Sequence, residues 1–391
     1  MTLATATSSD PERVLIDMTA DPLPDDPQSR SLIAAYYRQT VLDAVLSRAP
    51  GFSAPRFDRR MALAEALWER APFEAAPARP LPEIDAADAT LARFLDVSQG
   101  HHCPVVIRGF GADSTAVKSW SAAGLAERVG PLDITAVEMN RIPQPGELDV
   151  RYPLHDLQFA DFVRRMGDEP LYLHNSETLI AACPELLDEL HLDRVRTALC
   201  DPSETWDPIF SASLFIGTGN VYSGLHNAPG GNFFLQVTGR KTWTFVHPAL
   251  SPYLAVRTAK PFNHARSAYG TFHTAGPDSP IHRLPRYTVT LEPGDLLYNA
   301  PWWWHEVLNT GETIGCAMRY VAPPLRRSPT WHNHRLFAGL SVWPMLWTAS
   351  MVDFARHRVA EALGRGRSGT LRAMVSRRVD RTVNRARKQS T

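Results

Sequence analysis

The stretch "SGLHNAPGGNFFLQVTGRKTW", residues 223–243, decides how the rest of the chain is interpreted. A histidine, His226, precedes a glycine-containing turn, and an apolar run then leads to a second turn. Lys241 follows that second turn and alternates with Trp243 and Phe245, so the three side chains share one face of a strand. A lysine amine on an apolar face requires an anion nearby, unless the side chain extends to solvent.

Short β-rich runs continue on both sides of this stretch, from about residue 210 onward. Gly, Pro and Asn turns separate them, which predicts a small β-barrel or a double-sheet jelly roll. Helical spacing of apolar residues over 31–72 predicts helices before the barrel, and the Pro/Ala-rich residues 73–90 are typical of a linker. A Ser N-cap and a terminal glycine predict one helix over 114–130. The predicted fold class is therefore mainly β with added helices.

A second histidine, His305, lies 79 residues after His226 and follows "PGDLLYNAPWWW". Only a fold that brings strand ends together can pair the two residues, and a jelly roll does so. Neutral imidazole suits iron, zinc and copper. The "HH" pair at 101–102 adjoins a proline-containing loop, and we expect it at the surface.

The order of these motifs resembles the Jumonji-type (JmjC), cupin-like iron(II)/2-oxoglutarate-dependent oxygenases. The pattern L-H-x-x-P-x-x-N-x-x-x-Q-V-x-G-x-K-x-W spans 225–243, and "PGDLLYNAPWWWHEV" spans 293–307. "PVVIRGF" and "LYLHN" are similar to upstream elements of that family. The resemblance covers about residues 90–325 and implies a double-stranded β-helix (a cupin-like jelly roll) there. Residues 1–89 would then form a helical extension with its linker, and 326–391 a helical segment with a basic tail.

The resemblance also implies roles for individual residues. His226 and His305 would bind Fe(II), and Lys241 would hold the co-substrate 2-oxoglutarate. Asn232 would lie near the co-substrate, and Ser223 would donate a hydroxyl to it. Arg319 or Tyr320 would face the site from the far side, but not both, since neighbours on a strand point to opposite faces.

The chain departs from the family pattern at Ala228, where an Asp or Glu is expected. The position could stay open to chloride or water, as in similar halogenases that carry His-x-Ala. Another donor could complete the site, although no Asp or Glu lies between Asp207 and Asp278, and Glu306, beside His305, is expected to point away. Alternatively, metal binding is weakened or lost, because an anionic ligand is missing.

The function that the resemblance implies is activation of an aliphatic C–H bond on a small or carrier-protein-borne substrate, by halogenation or hydroxylation. Fe(II), 2-oxoglutarate and, for halogenation, chloride would be required. The alternative is a non-catalytic cupin-like binding protein that has lost its third metal ligand. The sequence does not identify the substrate.

The carboxyl-terminal region has an uneven charge. Residues 356–391 hold eleven Arg and Lys and two acidic residues, so this tail carries +9 and the rest of the chain −9. The preceding run, 336–352, has no charged residue but contains Pro344. It could span or lie on a membrane, or form a dimer surface; we favour a packed helix followed by a solvated tail.

Other features of the sequence indicate the cellular compartment and the class of partner. The amino terminus has no basic start followed by an apolar stretch, which argues against a secretory signal. Four scattered cysteines form no CxxC pair. We therefore expect a cytoplasmic protein with reduced thiols. We expect no nucleic-acid partner, since the basic tail lacks interleaved aromatic residues and the chain is neutral overall.

Overall fold

A computed structural model describes residues 23–46, 53–139, 152–201, 209–227, 231–258 and 265–320. These ranges contain helices α1 (Pro27–Leu46), α2 (Ser53–Glu69), α3 (Leu91–Val97), α4 (Thr115–Ser119), α5 (Ala122–Val129), α6 (Phe159–Arg165), α7 (Thr178–Ala182), α8 (Glu185–Glu189) and α9 (Leu192–Leu199). The strands there are β1 (Arg79–Pro80), β2 (Glu83–Asp85), β3 (Val105–Arg108), β4 (Asp133–Glu138), β5 (Leu154–Gln158), β6 (Leu171–Ser176), β7 (Ile209–Gly217), β8 (Tyr222–Asn227), β9 (Gly231–Val246), β10 (Arg257–Thr258), β11 (Ala265–Arg266), β12 (Tyr287–Leu291), β13 (Leu296–Asn299) and β14 (Trp304–Tyr320).

Two long antiparallel strands, β9 and β14, organise the barrel. The first half of β9 pairs with β13 and the second half with β12. The first half of β14 pairs with β8 and the second half with β7. The pairing gives two four-stranded layers, β13–β9–β14–β7 and β12–β9–β14–β8, which share the two long strands. The mainly β, jelly-roll fold expected from the turn spacing is confirmed.

The layers are extended by strands from earlier in the chain. β13 pairs with β3, and β3 pairs in parallel with β2. β1 pairs in parallel with β12. The prediction of a plain linker over 73–90 is therefore wrong for residues 79–85, because their backbone pairs with β12 and β3 at the barrel edges. Pro80 and Pro82 are compatible with such edge positions.

The predicted helix over 114–130 is two helices. Ser114 caps α4 through a hydrogen bond from the Val117 backbone N–H. Ser121 caps α5 in the same way, accepting from the Gly124 N–H at 3.0 Å. The second serine starts a new helix because its side chain satisfies an N–H group that an unbroken helix would have bonded internally.

The buried side chains form two large clusters. The first fills the barrel and the space under α3–α9. The second joins the two amino-terminal helices to the barrel. Trp68 packs against Tyr253 of the 3₁₀-helical segment Pro248–Leu254, and the Tyr36 hydroxyl accepts a hydrogen bond from the Val256 N–H. Leu225 and Trp304, the residues immediately before the two site histidines, belong to this second cluster.

No helix within the described ranges is long and apolar enough to cross a membrane. The uncharged run 336–352, the basic tail and Ala228 lie outside those ranges.

Candidate metal and co-substrate site

The two histidines lie side by side on neighbouring strands. His226 on β8 is directly opposite His305 on β14, and their ring centroids are 4.3 Å apart. The Nδ1 of His226 lies 2.6 Å from the Gly224 carbonyl oxygen, and the Nδ1 of His305 lies 2.9 Å from that of Trp303. A carbonyl oxygen can only accept, so each Nδ1 donates and each Nε2 keeps the lone pair that a metal needs.

His305 is held in a nearly dry aromatic wall. Its side chain is 6% exposed, and its ring stacks on that of Trp243 at a centroid distance of 5.5 Å. The ring of Phe245, on the same strand as Trp243, contacts the His305 ring at a centroid distance of 5.9 Å. Stacking on Trp243 and a tilted contact with Phe245 restrict the orientation of the imidazole, as a metal ligand requires.

No carboxylate joins these histidines within the described ranges, where no group of three His, Cys, Asp or Glu side chains forms a metal site. Glu306, next to His305, points to the other face of β14, as expected. It accepts a hydrogen bond from the Phe272 N–H at 2.8 Å, and burial raises the pKa of its carboxyl to about 7.

Lys241 on β9 is completely buried. Its amine donates to the Asn309 side-chain oxygen at 2.7 Å and lies 3.4 Å from the Tyr172 hydroxyl. Both partners are neutral, and burial lowers the pKa of the lysine to about 7. A buried amine with two neutral neighbours is suited to receive a carboxylate.

Ser223 reaches the same place through Tyr172. The Ser223 hydroxyl hydrogen-bonds to the Tyr172 hydroxyl, and burial raises the pKa of that phenol well above its usual value. The sequence interpretation missed Tyr172 and Asn309 as neighbours of Lys241. Strand alternation could have found Asn309, since it shares a face with His305 four residues earlier.

Asn232 and Arg319 lie in a row across one face of the sheet. Asn232 on β9 is opposite Asn299 on β13 and opposite Arg319 on β14, and opposite residues share a face. Arg319 donates to the Asn175 side-chain oxygen at 2.6 Å. The side chain of Tyr320, the other candidate, is not among the side chains that the structure describes.

Several buried polar atoms around this region have no hydrogen-bond partner among the described residues, namely Asn232 Oδ1, Asn299 Oδ1, Asn309 Nδ2 and Trp243 Nε1. Unsatisfied polar atoms in a protein interior are rare, since each loses its hydration without compensation. Together with two imidazole lone pairs and a buried amine, these atoms fit a divalent metal and a polar, anionic co-substrate.

The rim of the site contains a cation that the sequence did not single out. Arg266 on β11 is directly opposite His226. Its guanidinium donates to the Tyr152 hydroxyl at 3.0 Å and lies over the Tyr152 ring. Tyr152 comes from a distant segment, so no local pattern could have indicated the pair.

The expectation that the "HH" pair lies at the surface is wrong for His101. Its side chain is 7% exposed and packs edge-on against Phe94 and Tyr298. Burial lowers its pKa to about 4, which keeps the imidazole neutral in the core.

Comparisons with known proteins agree with this architecture. Over 258 residues the chain is 25% identical to the tRNA wybutosine-synthesizing protein 5 of Gallus gallus, covering 62% of this chain and 76% of that protein. Over 103 residues it is 32% identical to the HSPB1-associated protein 1 of Homo sapiens and that of Rattus norvegicus, covering 25% of this chain. That match spans only about a fifth of those two relatives (20% and 21%). A family model described as "Cupin-like domain" matches residues 92–322, more than half of the chain, and this protein therefore belongs to the cupin-like domain family.

Proposed function

We propose that this protein is an iron(II)- and 2-oxoglutarate-dependent oxidoreductase of the Jumonji type, acting on an aliphatic C–H bond. The observation that carries the proposal is the pairing of His226 with His305, each with Nδ1 engaged by a carbonyl, in a barrel that also contains the fully buried Lys241. A barrel used only for packing has no need of a buried amine between neutral partners.

In this proposal the chain binds and orients, while the bound groups supply the oxidising power. His226 and His305 would hold the metal through Nε2. Lys241 binds the distal carboxylate of 2-oxoglutarate, assisted by Asn309 and by the hydroxyls of Tyr172 and Ser223. Trp243 and Phe245 exclude water from the metal side, which strengthens every charge interaction inside. Asn232 and Arg319 line the neighbouring face of the barrel.

Ala228 defines the finer part of the proposal. An alanine has no lone pair, so it leaves a coordination position to chloride or water. Chloride bound there would supply the halogen of a halogenated product, whereas water there would be compatible with hydroxylation. A non-catalytic binding protein is the competing function, and the missing carboxylate is the observation that favours it, since fewer anionic ligands weaken metal binding.

The substrate proposed is a small molecule, free or attached to a carrier protein. The name of the chicken relative connects that protein to wybutosine synthesis in tRNA, so tRNA belongs among the substrates tested, although the chain's neutral charge favours no nucleic-acid partner. Cys103, Cys183, Cys200 and Cys316 are thiols that form no disulfide bond with one another, in keeping with a proposed cytoplasmic location. Homodimer formation and membrane contact through 336–391 remain part of the same proposal.

The test is succinate formation from 2-oxoglutarate by the full-length protein, with and without Fe(II) and with and without chloride. Iron-dependent succinate is expected from the wild type and not from His226→Ala or Lys241→Met. The binding-protein alternative would be established by absence of turnover with every halide together with absence of iron affinity.

Ala228→Asp tests the open position. The added carboxylate should increase iron affinity, roughly tenfold for one restored anionic ligand, while any chlorination falls relative to hydroxylation. Iron affinity is measured by titration and the product ratio by mass spectrometry. A product ratio equal to that of the wild type would count against halide at this position.

A further inference from the structure

Asn299 lies closer to the metal-binding atom of His305 than the sequence indicated. It is the last residue of β13, its side chain is 3% exposed, and its Nδ2 lies 3.4 Å from the Nε2 of His305. Its Oδ1 has no hydrogen-bond partner among the described residues. The short turn after β13, with Trp302 at φ +69°, brings the two side chains together.

The separation of these atoms matches that of two ligands on one metal ion. Bonds from a divalent metal to imidazole nitrogen and to oxygen are about 2.0–2.2 Å long. Two such donors at neighbouring corners are then about 2.8–3.1 Å apart in an octahedron and about 3.3–3.6 Å apart in a tetrahedron, and the observed 3.4 Å matches the tetrahedral separation. A terminal amide atom of Asn299 is therefore at ligand distance from His305 Nε2, with no backbone movement.

The amide can present either of its terminal atoms to that place. Rotation about the last torsion of asparagine exchanges nitrogen and oxygen, and the torsion is broad and soft. With a lone pair at His305 Nε2, the amide nitrogen is the atom that faces it. A cation bound to that lone pair would attract the amide oxygen instead. Rotating the Asn299 amide so that Oδ1 faces the cation would break only one long hydrogen bond, the 3.4 Å contact between Nδ2 and His305 Nε2.

We propose that Asn299, through Oδ1, is the third protein ligand of the metal centre, in place of the carboxylate missing at Ala228. This rests on the proposed function in needing a metal at His226 and His305. Amide oxygen is a suitable neutral donor for divalent cations. Two neutral nitrogens and one neutral oxygen leave both positive charges of the metal uncompensated. The remaining coordination positions therefore favour anions, and 2-oxoglutarate and chloride are both anions.

The test uses Co²⁺ as a metal probe, without co-substrate or turnover. The full-length wild type is titrated with Co²⁺ and followed by its visible d–d absorption, next to Asn299→Leu and Asn299→Asp. Asn299→Leu, which keeps the size but has no donor, should weaken Co²⁺ binding at least about tenfold. Asn299→Asp, which keeps the size and adds a charge, should tighten it by about the same factor, a gain that a merely structural asparagine would not give.

Two further variants separate the possible failures. Gln236→Leu is the matched control: Gln236 is also a buried amide with an unpartnered oxygen among the described residues, but it bonds the Thr238 and Gly239 carbonyls instead of a histidine. Its Co²⁺ affinity should equal the wild-type value.

The outcomes separate two failures. Co²⁺ binding that is lost in His226→Ala but unchanged in both Asn299 variants would overturn the Asn299 ligand alone. No Co²⁺ binding by the wild type would overturn it together with the metal site. Thermal unfolding of each variant checks the fold, and Asn299→Asp decides the matter if Asn299→Leu does not fold.

Discussion

At the scale of single residues, Lys241 is the side chain with the clearest electrostatic consequence. It is fully buried, its neighbours Asn309 and Tyr172 are neutral, and burial lowers its pKa from 10.5 to about 7. Between pH 7 and 10.5 the unfolded chain therefore holds a proton on this amine that the folded chain lacks. The free energy of unfolding contributed by Lys241 must rise with pH through this window, because proton binding there favours the unfolded state.

Comparison with Lys241→Met isolates this effect, since other titrating groups are common to both proteins. Without metal and co-substrate, the wild type should gain unfolding free energy relative to the variant by up to about 1.4 kcal/mol per pH unit above pH 7. Urea unfolding at pH 6.5, 8 and 9 measures it. A constant difference across these pH values would mean that Lys241 is protonated in the folded protein throughout.

The same lysine links stability to co-substrate binding. A carboxylate placed against the amine favours its charged form, so binding of 2-oxoglutarate should take up a proton above pH 7 and weaken as the pH rises. Calorimetric titrations in buffers of different ionisation enthalpy report this uptake directly.

At the scale of elements, strand β9 carries Asn232 in one layer of the barrel and Lys241 in the other. It changes layers near Gly239, which has a φ of +67°. A Cβ at this position would overlap the carbonyl oxygen of Glu312 on β14. Glycine is therefore required both for the backbone angle and for the close approach of the two long strands.

Gly239→Ala should lower the free energy of unfolding by at least about 3 kcal/mol, since strain in the left-handed region and a backbone overlap add together. Gly311→Ala is the matched control in the same pair of strands. Gly311 has a φ of +68° but open space around its added Cβ, so only the angular strain of about 1–2 kcal/mol applies. Chemical denaturation measures both, and equal losses would show that the contact with Glu312 does not matter.

At the scale of the whole molecule, the amino-terminal helices and the residues that precede the two candidate metal-binding histidines share one buried cluster. Trp68 on α2 is 6% exposed, donates to the Tyr253 carbonyl at 2.9 Å and packs edge-on against the Tyr253 ring. Leu225 and Trp304 are in the same cluster and immediately precede His226 and His305. The helical extension is thus expected to unfold together with the barrel.

Trp68→Ala should lower the free energy of unfolding by about 3–5 kcal/mol, because it removes a large buried side chain. The variant should still unfold in one cooperative transition, with the same midpoint by circular dichroism and by Trp fluorescence. Leu42→Ala on α1 is the control, since Leu42 is 50% exposed and its truncation should cost little. Two separate transitions in the wild type would show instead that the extension folds independently.

The prediction from sequence was most successful where the signal is local. Alternation of apolar residues and Gly/Pro/Asn turns indicated β7, β9, β12, β13 and β14, but not β8, β10 or β11. A pleated strand then dictates that Lys241, Trp243 and Phe245 share a face. The segment 79–85 was misjudged because its pairing partners, β3 and β12, come from elsewhere in the chain. His101 was misjudged for the same reason, since its burial depends on Phe94 and Tyr298.

The sequence by itself determined the jelly-roll class, the two candidate histidines His226 and His305, the lysine that alternates with aromatic residues and the missing carboxylate at Ala228, because residue identity and strand period are properties of a short stretch. Only the tertiary structure decided that Tyr172 and Asn309 bracket Lys241, that Arg266 faces His226, and that Asn299 lies 3.4 Å from His305. Hydrogen bonds, burial and the pKa of a buried amine depend on which distant segments meet, and only the packed chain specifies that.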